Sequence, residues 1–187
     1  TENIRLNTIK KILPQQQLKL KGEKVSGLIQ SIAKPYRRAI IRGKESKKVE
    51  FGAFVNKFQV DGINWIEHID FNPYHEGIRY QKTVRKSRSY FGKVSHTSAD
   101  NKYATNQNRS YSKAQGITTS FTRKGRAGKY EDQRKQICGI LNKARSTRFE
   151  VSFGTEKNYY HLSKIKARTK ETEILWIFFG IHSANAV

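Results

Sequence analysis

The chain has 187 residues, 36% hydrophobic and 11% aromatic, with ten Phe, nine Tyr and two Trp. That length and content suit one domain plus an appendage and supply a real core, which excludes general disorder. Lys and Arg total 37 against 15 acids, a formal charge of +22; such an excess repels itself unless an anion neutralises it, and nucleic acid is the usual partner.

An acidic membrane surface is the rival partner. The best apolar stretch, Ile174 to Ile181, is too short to cross a bilayer. Cys138 is the only cysteine, which rules out an internal disulfide framework and a zinc ribbon; it reads as a small buried thiol in a reducing compartment. Thr1 to Lys21 mixes charge and Gln without the apolar core of a signal peptide. With Thr first and no Met, a fragment or a product without its initiator is expected.

Taken in chain order, residues 1–21 have helical character, which Pro14 is expected to break. KPYRRAIIRGKESKK, from Lys34, carries four Lys and three Arg; it reads as a loop, or a strand with a phosphate-ready surface, or simply a solvated charge run. From Val49 to His68, apolar residues on both faces suit a covered strand, and Asp61-Gly62 signals a hairpin between two antiparallel strands. Asn72-Pro73 predicts the start of a helix to about Phe91 with a basic outer face. Val94 to Ala99 predicts a short strand ending at Asp100, Thr105 to Gln115 a helix stopped by Gly116, and Ile117 to Phe121 a strand. RKGRAGK follows as a basic loop without P-loop spacing. Helices are expected over about Glu131 to Lys143 and Thr172 to Ser183. The order is mixed α/β with an antiparallel entry rather than a doubly wound sheet.

Acids are scarce, so each is worth weighing. Asp100 ends a short strand, where ligands gather in open α/β sheets; a lone Asp there is more often a cap or turn residue. Glu150 lies among Arg145, Arg148 and Lys157, and on spacing alone it reads first as a helix-surface ion pair. A joint functional reading is available, because cutting a phosphodiester calls for hard divalent ions held by carboxylates, with basic groups gripping the phosphates. The five His show no zinc spacing; His68, His75 and His161 read as packing or phosphate contacts, and no nucleophile elbow is present.

The blocks KPYRRAIIRGK with VEFGAFVN, then SADNKYATNQNR, then RSTRFEVSFGTEK followed by YHLSKIKARTKETEILWIFFGIHSANAV resemble the DDE-type transposases of bacterial insertion sequences. The resemblance runs from about Gln15 to Val187 and is most specific over the last 40 residues or so. It implies an RNase H-like mixed sheet flanked by helices, and metal-dependent DNA strand cleavage and transfer with Mg²⁺. Asp100 then takes the place of the second metal carboxylate and Glu150 the third. Lys157, seven beyond that Glu, and Arg148, two before it, take DNA-contacting places.

The first carboxylate has no counterpart: nothing before Lys34 resembles its strand, and neither Asp61 nor Asp70 fits the position. The fold is therefore expected to be incomplete at the N-terminus, with residues 1–33 a helical or linker remnant and 34–187 a partial catalytic domain, and unaided catalysis is expected to fail. The resemblance also implies DNA partners (transposon ends and target), allows a homodimer, and points to a cytoplasmic, nucleoid-associated protein with no membrane role. The alternative is a non-catalytic basic nucleic-acid-binding protein.

Overall fold

A computed structural model describes residues 2–41 and 49–186. The elements in order are α1 (Glu2–Leu20), β1 (Ala39–Ile41), β2 (Val49–Phe51), β3 (Phe54–Val60) and β4 (Ile63–Asp70). They continue with α2 (Tyr80–Phe91), β5 (His96–Thr97), α3 (Asn106–Ala114), β6 (Thr118–Thr119), α4 (Glu131–Ala144), α5 (Val151–Asn158) and α6 (Lys170–Ser183). The architecture is mixed α/β. Its described strands form three two-stranded sheets, β1–β2, β3–β4 and β5–β6.

The chain divides into two compact units. One comprises residues 1–55, 68–74 and 166–175, the other residues 56–67, 75–165 and 176–187. In the first, β1 and β2 pair antiparallel, with Ile40 opposite Glu50. Here α1 runs unbroken through Pro14, contrary to the break expected there. Proline removes one helical N–H, but Pro14 lies on an exposed face, where water can take the carbonyl left free, so the loss stays local.

The expected basic surface at Lys34 to Lys48 is also corrected in part. Lys34 Nζ donates to Ala167 O at 2.5 Å and to Glu173 Oε2 at 3.2 Å, and Arg37 Nη2 reaches Glu173 Oε1 at 2.5 Å. The Tyr36 hydroxyl adds a bond of 2.9 Å to Glu173 Oε2. Glu173 is fully buried, and a buried carboxylate persists only when paired and hydrogen-bonded. These two cations are consumed internally, and residues 42–48 of the same run lie outside the described residues.

The β3–β4 hairpin forms as expected. Asp61 has φ 50° and Gly62 φ 88°, the positive pair that a two-residue turn requires between antiparallel strands. The covered strand divides, however: Gly52-Ala53 separates β2 from β3. The helix expected from Asn72 begins later. Asn72 N and Nδ2 both donate to Asp70 Oδ1, which fixes a turn there, and a 3-10 turn at Glu76–Arg79 precedes α2.

The core of the second unit is Tyr80 and Val84 of α2 against Ile117 and Phe121 around β6. The Tyr80 ring lies 5.4 Å from that of Phe121, and its hydroxyl bonds Thr97 Oγ1 at 2.8 Å and Ser112 Oγ at 2.9 Å. This satisfied phenol ties α2, β5 and α3 together. β5 and β6 pair in parallel, His96 opposite Thr118. α3 starts on Thr105, whose hydroxyl accepts from Asn108 N, and ends before Gly116 at φ 63°, as the turn chemistry requires.

Candidate nucleic-acid and carboxylate site

Asp100 follows β5 and caps a 3-10 turn at Asn101–Tyr103. Its carboxylate accepts from Asn101 N at 2.6 Å, and its backbone carbonyl accepts from Tyr103 N at 2.9 Å. It is exposed. The turn reading of this residue is realised, whereas the strand expected over Val94 to Ala99 is reduced to His96–Thr97 and stops three residues short of it.

Glu150 stands on one long helical run. α4 passes directly into a π-helical segment, Arg145–Glu150, and then into α5. A π turn bonds residue i to i+5, and such turns recur at functional sites. The spacing aligns Arg145 with Glu150, whose side chains form an ion pair; on a regular α-helix, side chains five apart point to different sides. Glu150 keeps a side-chain exposure of 52%, so the pair is solvated and adds little stability.

Arg148 and Lys157 are exposed on the same helical run. Arg148 also lines an open cavity of about 480 Å³ with Gln59, Asp61, Asn64, Ser152 and Thr155. Along the chain these two exposed cations flank Glu150.

The carboxylates do not make a metal cage. Among the described residues no group of three or more His, Cys, Asp or Glu could hold an ion. Asp100 is engaged with its own turn and Glu150 with Arg145. Magnesium asks for near-octahedral oxygen coordination, and these two side chains do not supply it by themselves.

Sequence reasoning missed what lies beneath Glu150. Lys57, in the middle of β3, is fully buried, and its Nζ donates to Glu156 Oε1 at 2.5 Å and to Ser152 Oγ at 2.8 Å. The same Nζ lies 3.8 Å from the Phe153 ring centroid and 5.1 Å from that of Phe149, so the ammonium is held by a carboxylate, a hydroxyl and two π faces. Burial pulls the Lys57 ammonium below its ordinary pKa and pushes the Glu156 carboxyl above its own, while the ion pair opposes both shifts. The pair clamps α5, and with it the π segment, to the strand. A charge in the middle of a covered strand, FVNKFQV, was the available signal, because such a lysine must find a partner.

A second polar network lies alongside. Asn56 donates from Nδ2 to Glu67 Oε2 and Thr83 Oγ1, each at 2.9 Å, and its Oδ1 accepts from the Tyr103 hydroxyl at 2.8 Å. Tyr103 closes the turn that Asp100 caps, so the network anchors that turn to β3. Cys138 is half-buried rather than fully buried, its thiol facing Thr119 O at 3.4 Å.

Against known proteins, the family model described as Transposase DDE domain matches residues 97–180. No curated protein and no solved structure matches the chain. The matched span contains Asp100, Arg148, Glu150 and Lys157.

Proposed function

We propose that the chain engages DNA as part of an insertion-sequence transposase, on the premise of the match of residues 97–180 to the transposase DDE domain. The observation that carries this is the enclosure of both Asp100 and Glu150 in the matched span, with exposed Arg148 and Lys157 on the helical run that bears Glu150. Arg148 and Lys157 would grip phosphates, which position DNA without reading sequence.

Asp100 and Glu150 would serve as two of the carboxylates for Mg²⁺, the hard ion that supplies Lewis acidity in phosphoryl transfer. Strand cleavage and transfer need a third carboxylate, which neither Asp61 nor Asp70 supplies, so cleavage by these residues alone is expected to fail. We extend the proposal to an RNase H-like fold, to a partial catalytic domain over 34–187 beside a remnant at 1–33, and to homodimers working on transposon ends and target within the nucleoid. The family match and the parallel β5–β6 pairing beside Asp100 support the fold. No helix among the described residues is long and apolar enough to cross a membrane.

A competing reading, a non-catalytic nucleic-acid binder, draws on the local engagement of both carboxylates. Binding to duplex DNA across a salt series tests the part common to both. Lys157→Ala is expected to weaken binding and reduce the salt slope by about 1. Asp100→Asn is expected to leave binding intact or stronger. An unchanged slope in the lysine variant would remove Lys157 from the interface.

A further inference from the structure

A series of six rings runs across the second unit. Trp65 of β4 lies 5.4 Å from Tyr90 and 5.5 Å from Phe91, at the end of α2. On its other side Trp65 meets His182 at 6.3 Å; His182 packs on Phe178 at 4.4 Å, and Phe178 on Phe179 at 5.6 Å. Core rings end under other side chains, but here Tyr90 is 52% exposed, Phe91 45%, Phe178 45% and Phe179 61%. Contiguous open rings of this kind mark a binding surface.

The chemistry around the rings narrows the partner. Lys86 Nζ stands 6.0 Å from the Tyr90 ring centroid. α2 turns Lys82 and Arg85 to solvent, and exposed Lys93 follows. Trp65 Nε1 is buried and has no acceptor among the described residues. An apolar protein face would cover the rings but leave the cations unmatched. Duplex DNA would match the cations but keeps its base faces stacked inside. An unpaired strand offers base faces, acceptors and phosphates together.

We infer that this face binds single-stranded DNA, with bases stacked on the Tyr90–Phe91 and Phe178–Phe179 rings and the phosphates along Lys82, Arg85 and Lys93. The inference rests on the DNA-engaging reading above and adds the strand form and the surface. Its source would be the unpaired strand exposed where a transposon end is opened.

The test titrates the whole chain with oligothymidylate and, separately, with duplex DNA, following tryptophan fluorescence. Oligothymidylate is expected to quench the emission. Phe91→Leu with Phe179→Leu keeps apolar bulk but removes two stacking faces. It is expected to weaken oligothymidylate binding roughly tenfold or more while duplex binding holds. If the double variant is poorly folded by its thermal transition, Phe179→Leu alone carries the comparison, since that ring is the most exposed. Undiminished oligothymidylate binding by the variants overturns the inference. So does a dimer of the parent chain that dissociates in the double variant, which would assign the rings to a second copy. Duplex binding without single-strand binding sinks this inference alone, whereas no binding to either form sinks the DNA-engaging reading as well.

Discussion

Arg145 and Glu150 meet because the helix between them is wound with the wider π spacing, and this has a chemical cost. The guanidinium occupies the carboxylate that the DDE reading assigns to a metal. Arg145→Gln is expected to free Glu150 and tighten Mn²⁺ binding several-fold in calorimetry; weaker binding would mean that Arg145 supports the site instead of competing for it. Beneath it, Lys57 and Glu156 are buried, so removing one partner strands a charge. Glu156→Ala is expected to cost about 3–5 kcal/mol in urea unfolding, and replacing both partners with apolar residues should recover much of that loss. A cost under about 1 kcal/mol for the single change would show the pair to be solvated.

Tyr36 gives a pH signature. Burial, followed by its hydrogen bond to Glu173, raises its pKa to about 12. The folded state then holds the phenolic proton more tightly than the unfolded chain, whose tyrosines titrate near the ordinary value of about 10. The stability this contributes is complete below that ordinary value and is lost as pH rises through about 12. Tyr36→Phe is expected to flatten the alkaline part of the stability curve relative to the parent; parallel curves would mean that the hydroxyl is not held by Glu173.

At the scale of elements, turn chemistry was the most legible feature. Asp61-Gly62 encodes its hairpin because both positions need positive φ, and Thr105 with Gly116 brackets α3. Gly62→Val is expected to destabilise the chain by about 1–2 kcal/mol, the cost of a branched side chain in left-handed backbone; thermal unfolding checks this, and no loss would mean that the hairpin tolerates another turn. Capping residues carry their reasons locally, which is why α3 was readable. Pro14 misled because a helix breaker acts through one hydrogen bond, and an exposed helix can lose one. Asn72-Pro73 misled because Asp70 competes for Asn72. The π segment has no composition of its own, so the join of α4 to α5 could not be read.

At the scale of the molecule, composition spoke for a nucleic-acid partner and residue blocks for a family. What stayed illegible was the use of each charge. Lys34 and Arg37 looked ready for phosphate yet serve Glu173, and Lys57 is an internal cation whose partner lies 99 positions away. Long-range pairing of this sort depends on the folded arrangement, which local periodicity does not encode. Asp100 and Glu150 were found through resemblance, and their spacing of 50 positions carries no periodic signal. The excess positive charge should make DNA binding steeply salt-dependent.

On the proposed reading, Asp100 and Glu150 are two metal carboxylates of a DDE-type site that needs a third. Calorimetric titration of the whole chain with Mn²⁺, beside Asp100→Ala and Glu150→Ala, tests it most directly. Weak binding in the parent that disappears in both variants is expected. No binding by the parent, or binding that survives both substitutions, would contradict the assignment.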